Sequence, residues 1–282
     1  MDTKIYKYCS SRGIAIFESG KIKVTPVTEF NDPFEMMPSF QDSGLHDYVK
    51  KHLPEYWVNY VDTDLQFASM SSKQKKYYKK SGLKLFGRER LNQLIEDFKR
   101  KAVQELENGW SERIKEIGAL CFTDKPNNLL MWAHYAENSA GFVIEFNSDH
   151  EFFHRQRTDK DEFFHLRPVV YRKKRPFFNF EDKLNGMDHV FLTKSPEWEY
   201  EKESRILCPL NFLTVEYIKT ENTEYDMYSV PLPSEAVTGI ILGCRANDNL
   251  INVIKNKSEY AHIKITRIKL DKNDYKFSIE EI

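Results

Sequence analysis

The stretch Leu129-Leu130-Met131-Trp132-Ala133-His134-Tyr135-Ala136, followed by Glu137 to Gly141 and then Phe142-Val143-Ile144-Glu145-Phe146, decides how the chain is read. Asn127 or Asn128 offers a side-chain cap for a short helix through Trp132. Asn138-Ser139-Ala140-Gly141 breaks that helix, and the mostly apolar run after it predicts a strand. Successive helix positions lie roughly 100° apart, so His134 and Tyr135 can face one cleft only from its two edges or from the helix end. Leu130 shares a face with His134, and Met131 with Tyr135. A lone histidine beside a tryptophan is ordinarily a hydrogen-bonded core residue. The nearby break leaves a second reading open, in which Met131 and Trp132 anchor the core while the helix end forms one wall of a cleft.

Working outward, the same exchange of short helix and strand recurs. Gly118 to Thr123 reads as a buried strand, Lys4 to Cys9 as a first strand, and Lys21 to Thr25 as a half-buried one ended by Pro26. Ile14-Ala15-Ile16-Phe17 predicts a helix that stops at Gly20. Downstream, strands are expected at Pro168–Tyr171, Ser195–Leu207, Ile206–Phe212, Tyr225–Val230, Val237–Cys244, Ile263–Leu270 and Lys276–Ile279, with short helices at Asp188–Thr193 and Asn247–Asn256. Residues 45–116 differ, being charged and poor in glycine. There Leu91, Leu94, Ile95, Phe98, Ala102, Val103 and Leu106 fall at helical spacing, and Gly109 marks a stop. The expectation is an α+β fold: a split, mostly antiparallel sheet in a single domain over residues 1–282, with a helical insertion or lid at 41–117.

Composition narrows the function classes. Aromatic residues make up 14% of the 282-residue chain despite 30% charged residues, which argues for a folded core rather than disorder. Lys and Arg (42) balance Asp and Glu (43), so no global field draws the chain to nucleic acid, and any polyanion contact must be local. The run Lys73-Gln74-Lys75-Lys76-Tyr77-Tyr78-Lys79-Lys80 is such a place, although a solvated helix face is the commoner meaning of such a run. Cys9, Cys121, Cys208 and Cys244 are far apart and form no CxxC, so core thiols are expected and a zinc site is not. His150 and His154 have i, i+4 spacing without an acid or cysteine to complete a ligand set, so no metal is expected. The N-terminus lacks an apolar signal core and no apolar run reaches about 18 residues, which predicts a cytoplasmic protein with no membrane contact.

Three remote segments carry chemistry out of proportion to their length. Tyr6-Lys7-Tyr8 lies on the first strand. Phe30-Asn31-Asp32-Pro33-Phe34-Glu35 reads either as a turn capped by its Asx side chains or as a turn holding Asn31, Asp32 and Glu35 at a cleft mouth. Trp198-Glu199-Tyr200-Glu201-Lys202-Glu203-Ser204-Arg205, taken as a strand, puts Glu199, Glu201, Glu203 and Arg205 on one face. Adjacent carboxylates repel, which raises the proton affinity of at least one while Arg205 opposes the rise. Glu201 and Glu203 would then divide charge-stabilising and hydrogen-bonding roles. A solvated edge strand is the plainer alternative. We expect these segments to meet the Trp132 helix in one aromatic-walled polar site.

In that order, the four segments resemble the bacterial family catalogued as domain of unknown function 2971, from the chain start to about Leu207, with Ile240-Ile241-Leu242-Gly243 as a weaker tail. The resemblance implies a cytoplasmic protein of the kind encoded in phage-defence or mobile loci. More distantly, Tyr6-Lys7-Tyr8 and Glu201-Lys202-Glu203 are similar to the first strand and the Glu-x-Glu of ADP-ribosyltransferases, with Lys7 where His or Arg is usual. That likeness implies NAD as co-substrate. Glu203 would sit on the nicotinamide ribose as principal catalytic group, with Glu201 as its partner and Tyr8 or Tyr135 stacked on the ring. His134, Tyr135, Asn31 and Asp32 would line the site, with Tyr6, Lys7, Glu35, Trp132 and Arg205 as binding residues. The expected function is an NAD-binding transferase, or an NAD-consuming toxin or phage-defence effector, acting on a nucleotide and a possible protein or nucleic-acid target. Two alternatives stand beside it: a magnesium-dependent nuclease-like or nucleotide-processing enzyme using Asp32, Glu35, Glu201 and Glu203, and a non-enzymatic interaction protein.

Overall fold

A computed structural model describes residues 4–40, 44–85, 88–156, 158, 161–177, 188–219 and 224–282. Residues 41–43 and 86–87 of the expected insertion lie outside that set. The chain divides into two compact units: Met1–Met37 with Ile114–Arg175 and Asp188–Ile282, and Pro38–Arg113 with Pro176–Met187. The strands are β1 (Lys4–Cys9), β2 (Lys21–Pro26), β3 (Ile117–Thr123), β4 (Phe142–Asn147), β5 (Leu166–Pro168), β6 (Val170–Tyr171), β7 (Thr193–Lys194), β8 (Glu203–Pro209), β9 (Thr214–Lys219), β10 (Glu224–Pro231), β11 (Val237–Leu242), β12 (Lys264–Leu270) and β13 (Phe277–Glu281). The helices are α1 (Ala15–Ser19), α2 (Leu45–Thr63), α3 (Ser72–Leu85), α4 (Arg88–Ile114), α5 (Leu129–Tyr135), α6 (Asp188–Phe191) and α7 (Asn249–Lys255).

The first unit is built on a sheet ordered β13-β12-β11-β4-β1-β3-β2-β10-β9, with β8 also paired to β3, and β5 to β8. Its pairings are antiparallel except β11 with β12, so the fold is α+β with a mostly antiparallel sheet. β4 shows why its sequence is apolar almost throughout. Phe142, Ile144 and Phe146 enter the main core with Phe17, Leu120, Phe122 and Ile206, while Val143 joins a second cluster with Tyr8, Met131, Trp132 and Ile268. A strand buried on both faces loses the polar alternation of a half-exposed one.

Asn128 caps α5: its Oδ1 accepts the N–H groups of Leu130 and Met131 at 2.9 and 3.2 Å, while its Nδ2 donates to the Tyr200 carbonyl. Trp132 is fully buried, packs edge-on to Tyr8, and donates its indole N–H to the Pro126 carbonyl. After α5 the backbone turns through Glu137, Asn138 and Ser139, all at positive φ. Gly141 follows because a Cβ there would collide with the Cys9 carbonyl oxygen.

Three sequence expectations need correction. Gly109 does not end α4, which runs to Ile114; the next residue, Trp110, is buried, and its packing offsets the roughly 1 kcal/mol helix cost of a glycine. Ile206–Phe212 is not one strand: β8 ends at Pro209, and Leu210–Phe212 is a 3-10 turn that buries Leu210. Pro196–Glu201 is also a 3-10 turn, closed by Lys202 at φ 45°, and the strand begins only at Glu203.

In the second unit, Trp57, Val61, Phe67 and Leu94 form one buried cluster and Val49, Phe98 and Ala102 another. Of the helical stripe read from the sequence, Leu94, Phe98 and Ala102 are buried. Trp57 donates its indole N–H to the Tyr78 carbonyl at 2.8 Å, which ties α2 to α3.

Candidate active site

Strand register brings the polar residues together. Tyr6 lies opposite Thr123, Thr123 opposite Glu203, and Cys121 opposite Arg205, across β1, β3 and β8. The short parallel pair β6–β7 sets Tyr171 beside Lys194. The 3-10 turn before β8 then delivers Glu201, whose backbone carbonyl accepts the Thr123 hydroxyl at 2.5 Å. All of these but Tyr171 border a cavity of about 370 Å³, with aromatic walls from Tyr6, Tyr8, Phe30, Phe122 and Tyr135. Its size falls in the range of small-molecule sites.

Beneath the cavity lies a buried ion cluster. Lys194 Nζ stands 2.5 Å from Glu201 Oε2, 3.2 Å from Glu203 Oε2 and 3.6 Å from Glu35 Oε2. Arg205, with no solvent exposure, donates Nε to Glu203 Oε1 at 2.6 Å and Nη2 to Glu203 Oε2 at 2.8 Å. It also bonds Glu35 Oε1 and the Phe191 carbonyl. Three carboxylates face two cations, an excess of one negative charge when all are ionised. Glu35 Oε2 is buried without a hydrogen-bond partner among the described residues. Tyr135 donates its hydroxyl to Glu201 Oε1 at 2.6 Å and accepts the Asn31 amide N–H at 3.1 Å.

The carboxylates are driven in opposite directions. Burial raises Glu201 above the usual carboxylate value, more than Lys194 and the Tyr135 hydroxyl lower it. Burial raises Glu35 as well, against Arg205 and Lys194. Burial also pushes Glu203 upward, but the Arg205 guanidinium, helped by Lys194, overcomes it and holds that carboxyl at about 2. For Lys194, burial favours the neutral amine, yet Glu203, Glu35 and Glu201 together raise its proton affinity. Tyr135 is raised by burial and then by Glu201. Tyr6 is pushed up to about 12 by burial and then by Glu145.

Of the residues singled out from the sequence, Tyr6, Lys7, Tyr8, Asn31, Glu35, His134, Tyr135, Glu201, Glu203 and Arg205 border the cavity. Their tasks differ. Lys7 donates Nζ to the Cys121 carbonyl at 3.3 Å. The Tyr8 hydroxyl donates to the Lys125 carbonyl and accepts the Asn128 N–H, so it props the entry to α5. His134 is exposed at the rim, where its ring meets that of Tyr135.

Two residues are placed elsewhere. Trp132 belongs to the core cluster. Asp32 is buried but accepts the Phe34 N–H at 2.9 Å, which is the turn-capping reading of the Asn-Asp-Pro sequence. Glu199 does not share a strand face with Glu201 and Glu203; it pairs with Lys202 at the surface. Of the four acids named in the magnesium alternative, Glu35, Glu201 and Glu203 surround the Lys194 ammonium.

Lys194 is the functional residue that sequence reasoning missed. It lies between a short helix and Ser195-Pro196, and no local pattern announces a buried ammonium. The nearest available signal was the acid-rich segment seven and nine residues further on, which needs an inward-facing cation if it is to be buried.

Residues 131–206 match the model of a family described as "Protein of unknown function (DUF2971)". The matched stretch carries α5 from Met131 onward, Lys194, Glu201, Glu203 and Arg205. No curated protein and no solved structure matches the chain. No helix among the described residues is long and apolar enough to cross a membrane.

Proposed function

We propose that the cavity binds NAD through its nicotinamide nucleoside half and that the protein breaks the nicotinamide–ribose bond, as an ADP-ribosyltransferase-like transferase or an NAD-consuming effector. The observation that carries this reading is the pair of neighbouring carboxylates driven apart in proton affinity: Glu203 is held ionised near 2, while Glu201 is raised and hydrogen-bonded to Tyr135. Environments that separate two such groups assign them separate tasks.

In the bond-breaking step the C1′–N bond gives its electron pair to the pyridine nitrogen, producing neutral nicotinamide and a ribosyl oxocarbenium ion. The cluster's excess negative charge stabilises the positively charged ring before cleavage and the sugar cation as it forms. An oxygen nucleophile, either water or an acceptor hydroxyl on a protein or nucleic acid, then bonds to C1′ and passes its proton to Glu201. Tyr6, Tyr8, Phe30 and Tyr135 supply aromatic surface for the ring, and Glu35 Oε2 supplies an acceptor for its carboxamide N–H. Lys7 supplies positive charge for the diphosphate. In this reading Glu203 acts as fixed charge, shared with Arg205, and Glu201 is the group that moves a proton. The resemblance noted from the sequence extends the proposal to a cytoplasmic phage-defence role.

The test is nicotinamide release from NAD, alongside thermal unfolding with and without NAD. Wild type should release nicotinamide and gain stability from NAD, and Glu201→Gln should lose about 10²- to 10⁴-fold in rate while remaining folded. Absence of both release and NAD-dependent stabilisation in wild type would sink the proposal.

A further inference from the structure

We infer that the outer face of α3 is a docking surface for single-stranded nucleic acid. The helix carries Lys73, Lys75, Lys76, Lys79, Lys80 and Lys84 and no acidic residue. Lys73, Lys76, Tyr77, Lys80 and Lys84 follow the spacing of one helix face, within an arc of roughly 100°. All five are exposed, Tyr77 at 57%. The opposite face is committed to packing: Tyr78 joins the Trp57 cluster and a Cβ on Gly82 would collide with the Trp57 ring, while Leu83, at the edge of the stripe beside Lys76, packs into the same cluster. Lys79 lies off the stripe and is paired with Asp62 at 2.6 Å.

A solvated helix face would be expected to mix its charges, because alternating signs add stability through i, i+4 pairs. Four like charges on one stripe repel, and a polyanion relieves that repulsion. From Lys73 to Lys84 the stripe runs roughly 16 Å along the helix. What distinguishes a nucleic acid from other polyanions is Tyr77, an exposed aromatic ring flanked on its own face by lysines. A base can stack on that ring while the lysines meet the flanking phosphates. Bases paired within a duplex do not offer their faces, so the single strand is the favoured form.

The test uses the full chain and a fluorescently labelled 20-nucleotide oligothymidylate, with binding followed by anisotropy at several salt concentrations. Four phosphate contacts predict a slope of log K against log salt of about −3. Lys76→Gln with Lys80→Gln should halve that slope. Tyr77→Ala should weaken binding roughly 5- to 150-fold with the slope unchanged, the loss expected for one stacked base. Each variant alters only an exposed face, and its thermal unfolding should match wild type. The inference is overturned if no binding occurs near physiological salt. It is equally overturned if Tyr77→Ala binds like wild type, or if a duplex of the same length or vesicles rich in phosphatidylserine compete better than the single strand.

Discussion

Two sets of ion pairs in this molecule look alike in distance and differ in almost everything else. On α4, Lys99 meets Glu96 at 2.8 Å and Arg100 meets Asp97 at 2.5 Å, one turn apart and open to water. In the sheet unit, Lys194 meets Glu201 at 2.5 Å and Arg205 meets Glu203 at 2.6 Å with almost no exposure. The surface pairs exchange one well-solvated state for another and are worth about 0–1 kcal/mol. The buried set has already lost its hydration, so each member depends on the others. Contact distance therefore says little about consequence, and burial says most of it. A protein concerned only with stability would gain as much from apolar packing at this position. The burial of three acids and two bases beneath an aromatic cavity is what directs attention to chemistry.

The sharpest way to break the contrast is Arg205→Met. It strands Glu35 and Glu203 with Lys194 alone and should cost about 3–5 kcal/mol in denaturant unfolding. Arg205→Lys should recover little of this, because a single ammonium cannot reproduce the fork that holds both Glu203 oxygens, Glu35 and the Phe191 carbonyl. An outcome under 1 kcal/mol for Arg205→Met would place this cluster with the surface pairs.

Acid titration sharpens the contrast further. Glu203 is lowered from 4.5 to about 2 in the folded chain, so its contribution is present above pH 4.5 and is lost as pH falls toward 2. Glu201 is raised, so between its unfolded and folded values the native state binds more protons, and its contribution falls as pH rises through that window. Unfolding midpoints should show the deficit of Glu203→Gln shrinking from pH 5 to pH 2. Glu201→Gln should instead improve relative to wild type as pH rises above 4.5. Parallel pH curves for the two variants would contradict the assignment.

Asn128 lies between the extremes: half-buried and neutral, it satisfies two helix N–H groups and the Tyr200 carbonyl. Asn128→Ala should cost about 1–2 kcal/mol in the same unfolding experiment. The smallest effect belongs to the surface. Arg100→Ala should shift unfolding by no more than about 0.5 kcal/mol, and the shift should vanish in high salt.

The same contrast explains what could be read from the sequence. Surface and backbone features were legible because their signals are local. A cap at Asn127 or Asn128, the Asn-Asp-Pro turn, Gly20 at the end of α1 and Trp132 as a core anchor each follow from neighbouring residues, and the structure puts the cap at Asn128. The meeting of the four segments was anticipated from their unusual chemistry, but its geometry was not. Reading residues 198–205 as one strand put Glu201 and Glu203 on a common face by alternation. They do converge, yet a 3-10 turn presents the first and a strand the second, with Lys202 in the left-handed region between them. Lys194 was illegible for a different reason. Its burial is fixed by Glu35, Glu201 and Glu203, and a lysine at the end of the apolar run Val190-Phe191-Leu192 carries no mark of partners that lie elsewhere in the chain. Asp32 and Glu35 show the limit from the other side: three residues apart on one turn, they serve backbone capping and the ion cluster respectively.

The most direct test of the cluster is a carboxyl ¹³C NMR titration of the glutamate-labelled protein, with Glu35→Gln, Glu201→Gln and Glu203→Gln used to assign the resonances. Because the groups interact, the values belong to the cluster as a whole. The expected result is one carboxyl that stays ionised down to about pH 2 and disappears in Glu203→Gln, with Glu201 and Glu35 taking up protons above the ordinary glutamate value of 4.5. Three carboxyls titrating together near 4.5 would contradict the account, since neither a fixed charge nor a separate proton acceptor would then exist beneath the cavity.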